Sequence, residues 1–353
     1  MLDLCLTLAQ KSSLELANQI NEFAGSVPLI EIRLDRLSVL DVPDLPGDSE
    51  TQFLATCRPL RQGGHYDGPE EDRLGLLRAA AEQGFQWVDL ENDVSSELRL
   101  PQGTSVVRSF HSFQQFPANL DSVLQDLRAR GGTLFKIAVQ VLSTSQLTEL
   151  LLWMESLPED LPRVIIGMGS FGQPSRVLGK FLGNAWTYIS ALEEGSAAPG
   201  QFTLEFARQV YRIERWQSVP EIYGYVSQPP VDAAFVSTVN LLFEHYGLEA
   251  LLLPLNLDDT QAWFEYMDAT RLSFKGLAFE AGIGAQAGLP LRETGPFDTL
   301  KRLESGWRGF RTAGFTQFRG DDIEMMVEPV AERFLIWTGI DPERSLIRGF
   351  LDA

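Results

Sequence analysis

The sequence predicts an α/β protein of two units, a (β/α)8 barrel of the TIM-barrel architecture followed by a second, smaller α/β sandwich domain. Three observations carry this prediction. Eight short β-rich runs alternate with helical patterns through roughly the first 215 residues, and a (β/α)8 barrel needs at least about 200. No GxGxxG turn follows the first run, which disfavours an open doubly wound sheet. The chain of 353 residues also exceeds a single domain of roughly 150 and suggests two.

The runs are 2–8 (LDLCLTL), 28–34 (PLIEIRL), 51–57 (TQFLATC), 86–91 (QWVDLE), 104–110 (TSVVRSF), 133–139 (TLFKIAV), 163–168 (RVIIGM) and 184–190 (NAWTYIS). Apolar residues spaced three and four apart mark helices at 12–23, 71–83, 117–129, 145–156 and 202–211. Strand and helix in alternation mean parallel pairing through crossover helices. The stretch RIERWQSVP (212–220) ends the last of these helices, so the boundary is placed after residue 218. Residues 219–353 then read as strand 221–226, helix 234–247, strand 249–255, helix 259–267 and strand 272–279, a Gly-rich stretch at 280–296, and helices 324–338 and 342–352.

The composition narrows the function. With 44% hydrophobic and 22% charged residues the chain can bury a sizeable core. Its 29 basic against 48 acidic residues give a net charge of −19, which opposes binding to nucleic acid or to an anionic membrane surface. Cys5 and Cys57 lie in apolar runs and read as reduced core thiols. No apolar stretch reaches the roughly 18 residues of a membrane span, and MLDLCLTLAQ has no basic region before its apolar run. The expected setting is cytoplasmic, with a small molecule as partner; the sequence leaves a homodimer open.

In such a barrel the chemistry sits at the C-terminal ends of the strands. The side chains found there are Thr7, Glu31 with Arg33, Arg58, Glu91, His111, Lys136, Met168 and Tyr188. Strand side chains alternate in direction, so Glu31 and Arg33 share the inward face, and Lys136 points opposite to Phe135 and Ile137. Lys136, one of only five lysines, is embedded in LFKIAV. Burial and a nearby arginine would free its amine for Schiff-base chemistry, although a salt-bridged structural lysine fits the same pattern. His111 in SFHSF is a candidate general acid/base. Glu91 would orient the imidazole or, alternatively, pair with Arg33. Arg58 in TCRP and Arg176 in QPSRVLG are candidate anion clamps, and the loop 192–201 (LEEGSAAPGQ) reads as a lid ending in Gln201.

EIRLD (31–35), TCRP (56–59), GGHYDGPEEDRLGLL (63–77), VDLE (88–91), SFHSF (109–113), FKIAV (135–139), SRVLG (175–179) and APGQ (198–201), in this order, resemble type I 3-dehydroquinate dehydratase. The resemblance implies dehydration of 3-dehydroquinate to 3-dehydroshikimate in the shikimate pathway, the route to aromatic amino acids. It implies that Lys136 forms an imine with the substrate ketone, that His111 moves the proton, and that Glu91 stands behind the histidine. It further implies that Arg176 and Gln201 hold the substrate carboxylate, that Glu31, Arg33 and Arg58 read its hydroxyls, and that Met168 and Tyr188 form apolar walls. No metal or organic cofactor is expected. Ala197 stands where that family has a serine, with Ser196 beside it.

The second unit resembles the substrate-binding domain of shikimate dehydrogenase through YGYVSQPPVDAAFVSTVNLLF (223–243) and MMVEPVAERFLIWTGIDPE (325–343). By that resemblance Gly284 stands at the catalytic lysine, Arg311, Thr312 and Ala313 replace an NTD triplet, and Pro329 replaces a substrate-binding glutamine. No nucleotide-binding domain intervenes, so no dehydrogenase activity is expected. The alternatives to an active dehydratase are a non-catalytic metabolite-binding or scaffold protein and a class I aldolase. The intact lysine, histidine and glutamate argue against the first, and the ordered arginines with the APGQ lid against the second.

Overall fold

The computed structural model describes residues 2–47, 49–94, 98–191, 201–228, 233–280, 297–304, 306–312 and 323–352. They divide into two compact units, Met1–Leu142 with Ser156–Ala207, and Ser143–Glu155 with Arg208–Ala353.

The first unit contains the strands β1 (Asp3–Leu8), β2 (Leu29–Arg33), β3 (Gln52–Thr56), β4 (Trp87–Glu91), β5 (Ser105–Ser112), β6 (Leu134–Gln140), β7 (Arg163–Met168) and β8 (Trp186–Ser190). All pair in parallel in the order β7-β6-β5-β4-β3-β2-β1-β8, which is a barrel rather than a doubly wound sheet. The helices of this unit are α1 (Ser13–Phe23), α2 (Glu70–Glu82), α3 (Leu120–Arg130), α5 (Gly169–Gly172), α6 (Pro174–Phe181) and α7 (Leu204–Gln209). Ser12 caps α1 at the Glu15 N–H, and Asn119 caps α3 at the Ser122 N–H. The N-cap therefore starts α3 three residues later than the apolar spacing suggested.

The barrel closes between β7 and β8 through one backbone bridge, Arg163 to Asn184. The Asn184 side chain completes the seam. Its Oδ1 accepts from the Ile165 N–H at 2.9 Å, and its Nδ2 donates to the Ile165 carbonyl at 2.9 Å. It thereby stands in for a stretch of strand, which explains why β8 begins at Trp186 and not at residue 184.

Side-chain alternation builds the interior in layers. Cys5, Leu29, Leu54, Val107, Leu134, Val164 and Trp186 form a buried apolar cluster. Two residues further along the same strand faces stand the polar side chains Thr7, Glu31, Thr56, Ser109 and Lys136, while Ile166 and Tyr188 at the same level still belong to the apolar cluster.

The second unit has a five-stranded sheet made of β9 (Glu221–Val226), β10 (Ala250–Leu255), β11 (Ser273–Phe279), β12 (Thr299–Leu303) and β13 (Gly306–Phe310), ordered β10-β9-β11-β12-β13. The first three strands are parallel, and β12 and β13 form an antiparallel hairpin that the apolar pattern did not reveal. Its helices are α8 (Ala233–His245), α9 (Thr260–Ala269), α10 (Glu324–Thr338) and α11 (Arg344–Leu351), and α4 (Thr144–Ser156) groups with them. Thr144 Oγ1 accepts from the Asp258 N–H at 2.9 Å, while the Thr144 N–H donates to Asp258 Oδ1 at 2.8 Å. At the other end of α4, Glu155 accepts from Thr270 Oγ1, from Tyr266 Oη at 3.4 Å and from the Arg271 N–H at 3.1 Å. No helix among the described residues is long and apolar enough to cross a membrane.

Candidate active site

The site is a cavity at the C-terminal mouth of the barrel, holding about 570 Å³ including its open end, a volume suited to a small molecule. Thr7, Glu31, Arg33, Arg58, His111, Lys136, Met168, Arg176, Tyr188 and Gln201 all line it. Gly63, Phe113, Ala138 and Ile166 complete the wall.

Two glycines shape the loop that presents Arg58. A Cβ on Gly64 would lie 1.9 Å from the Arg58 carbonyl oxygen, and Gly63, at φ +71°, passes so close to Phe113 that a Cβ would meet its ring at 2.5 Å. Asp35 fastens the same loop by accepting from the Arg58 and His65 N–H groups, each at 3.1 Å. Burial pushes the Asp35 carboxyl up, but hydrogen bonds and charge from Arg33 outweigh it and hold the group below its ordinary range. Arg33 spends Nε and Nη2 on Asp35, at 2.9 and 2.8 Å.

Arg58 is the hub. Its Nη2 donates to Asp89 Oδ2 at 2.8 Å, and its Nη1 lies 3.1 Å from Glu91 Oε1, 3.2 Å from Ser109 Oγ and 3.3 Å from His111 Nδ1. Glu91 is fully buried beneath the cavity and does not line it. Two expectations for Glu91 are corrected here. The Arg58 guanidinium, not Glu91, meets the imidazole, and Glu91 pairs with Arg58 and with Arg73 Nη1 at 2.8 Å rather than with Arg33. The reason is reach: Arg73, fully buried on α2, and Arg58 bracket the carboxylate.

Lys136 Nζ lies 3.4 Å from Asp89 Oδ2, 3.7 Å from Glu31 Oε1 and 4.1 Å above the centre of the Tyr188 ring. The charges beside this amine are therefore two carboxylates, where the sequence suggested an arginine. Glu31 is fixed by Thr7 Oγ1 at 2.9 Å and Thr56 Oγ1 at 2.8 Å, and Gln201 Nε2 donates to Thr7 Oγ1 at 3.3 Å.

Burial, followed by the positive charges of Arg58 and Lys136, holds the His111 imidazole well below its ordinary pKa, so it is neutral at pH 7. Phe113 stacks on it with ring centres 5.8 Å apart and planes 8° from parallel. Burial lowers Arg176 to about 10, which leaves the guanidinium charged at neutral pH.

The sequence expectations do not include Asp89, Ser109 or Phe113. Asp89 had a usable signal, since it sits two residues before Glu91 and so on the same strand face. Residues 192–200 of the expected lid, with Ala197, lie outside the described residues, as do Gly284 and Ala313. Among the described residues no group of three His, Cys, Asp or Glu side chains could hold a metal ion.

Fold and cavity together define a (β/α)8-barrel enzyme with a lysine and a neutral histidine side by side in its mouth. Residues 4–217 match the family described as Type I 3-dehydroquinase, and the chain belongs to that family; its barrel is a type I 3-dehydroquinate dehydratase, a hydro-lyase. The chain is 29% identical over 219 residues to the 3-dehydroquinate dehydratase of Desulfotalea psychrophila, covering 59% of this chain and 96% of that protein. It is 26% identical over 249 residues to the chloroplastic bifunctional 3-dehydroquinate dehydratase/shikimate dehydrogenase of Arabidopsis thaliana, covering 67% of this chain and 41% of that one. This chain thus matches less than half the length of the bifunctional relative. The fold is shared with the solved dehydroquinate dehydratase and shikimate dehydrogenase from S. pombe AroM, at TM-score 0.50 and 20% identity over 87% of this chain and 64% of that one.

Proposed function

We propose that the barrel dehydrates 3-dehydroquinate through an imine on Lys136. The observation that carries this reading is the amine in the cavity wall with His111 beside it. Lys136 Nζ attacks the ketone carbon, and loss of water gives an iminium. His111 takes the proton from the adjacent carbon, and the C–H electrons flow into the iminium to give an enamine. The electrons then return to expel the β-hydroxyl, which leaves as water with the proton His111 had taken, and hydrolysis of the imine frees the lysine. A neutral imidazole has one lone pair, and Arg58, which can only donate, meets it at Nδ1. A substrate hydroxyl that takes over the Arg58 hydrogen bond releases that lone pair for the proton.

Arg176 and Gln201 receive the substrate carboxylate. Glu31, the remaining Nη1 of Arg33, and Arg58 read the hydroxyls, with Met168 and Tyr188 as apolar walls. Glu91 supports Arg58 from below. Borohydride added during turnover should fix the substrate skeleton on Lys136, found by peptide mass, and 3-dehydroquinate should give a conjugated enone absorbing in the ultraviolet. A chain that gives neither adduct nor absorbance does not carry this function.

We assign this chemistry to residues 1–218, and to residues 219–353 a domain like the substrate-binding part of a shikimate dehydrogenase but without its reaction. Shikimate with a nicotinamide cofactor should show no turnover. Two buried thiols and the acidic charge fit a cytoplasmic setting without nucleic-acid partners.

A further inference from the structure

We propose that Asp89 is a further catalytic carboxylate of this reaction, the fixed acceptor of the N–H of the iminium formed on Lys136; the inference rests on the imine reading above. An iminium on a lysine has one N–H and a full positive charge, and here both form inside a buried site. Each needs a partner that the substrate cannot displace. Asp89 is completely buried and does not line the cavity, so substrate cannot touch it. Its Oδ2 lies 3.4 Å from Lys136 Nζ, the shorter of the two carboxylate contacts to this amine.

Asp89 is also held from three directions. Ser109 Oγ donates to Oδ1 at 2.5 Å, Arg58 Nη2 donates to Oδ2 at 2.8 Å, and Lys136 supplies the third contact. Glu31, the other carboxylate near the amine, lines the cavity and is drawn toward substrate hydroxyls. The two acids divide the work by position: Glu31 faces the substrate, and Asp89 faces the nitrogen from behind. Because an opposite charge favours the protonated imine, Asp89 keeps the electron sink charged to higher pH. The other titratable and charged groups facing Lys136 or Asp89 are Arg58, His111, Tyr188, Cys5, Glu91 and Arg108.

The test is Asp89→Asn in the full chain. The amide keeps the shape but loses the charge. The alkaline limb of the kcat profile should move down by at least about one pH unit, the size expected for loss of an opposite charge at this distance, and at pH values above the unshifted limb kcat should drop at least about tenfold. The primary isotope effect with substrate deuterated at the abstracted position should rise, because proton removal becomes slower. Ser109→Ala, which removes the 2.5 Å hydrogen bond to Asp89 and the 3.2 Å one from Arg58, leaves Asp89 charged but less firmly aimed at the nitrogen; it should shift the same limb in the same direction by less, and it carries the test if Asp89→Asn does not fold. An unmoved alkaline limb and isotope effect in whichever variant folds overturns the role of Asp89. Absence of a borohydride adduct in the unsubstituted chain overturns the imine reading itself.

Discussion

Arg58 places Nη1 3.3 Å from Nδ1 of His111, so the imidazole is held by a group that can donate but never accept. The contact ties the protonation of the histidine to the charge of the arginine. Arg58→Gln removes a positive charge from beside the ring, and a positive charge disfavours imidazolium, so the His111 pKa should rise toward its ordinary value. The acid limb of kcat/KM should therefore move to higher pH, and an NMR titration of the imidazole should follow it. An acid limb in the same place would show that burial and Lys136 set this pKa without Arg58.

Gly64→Ala tests the loop behind Arg58. The added methyl would collide with backbone, the Arg58 carbonyl oxygen, rather than with a flexible side chain. A displacement of about 1 Å in a catalytic group costs on the order of a hundredfold, so kcat/KM should fall by about that much with the circular dichroism spectrum retained.

Arg176→Met tests anion binding. A hydrogen bond to a charged group contributes about 1.5–3 kcal/mol, so kcat/KM should fall by roughly 10- to 150-fold, mainly through KM. A variant with unchanged KM would place the substrate carboxylate elsewhere.

Glu155→Ala removes the carboxylate that gathers Thr270, Tyr266 and the Arg271 N–H at the end of α4. Stranding partly buried donors costs about 1–3 kcal/mol, and thermal melting should show a drop of several degrees.

The barrel strands were legible because strands covered on both faces read as continuous apolar runs, and the cavity residues because every second side chain points inward. What escaped has specific causes. The hairpin of β12 and β13, TLKRL and GWRGF, is short and mixes charge with apolar residues on both faces, so neither period shows. For Glu91, strand position gives direction but not depth. It lies inward yet one layer too low to reach His111, and two arginines claim it first. The same holds for Asp89 beside it.

The seam at Asn184 gives the barrel a way to age. One amide both donates to and accepts from Ile165. Slow hydrolysis of that amide would exchange the donor nitrogen for an oxygen facing the Ile165 carbonyl. Chemical wear at this one side chain would loosen the cylinder between its seventh and eighth staves, leaving the backbone bridge from Arg163 to hold it.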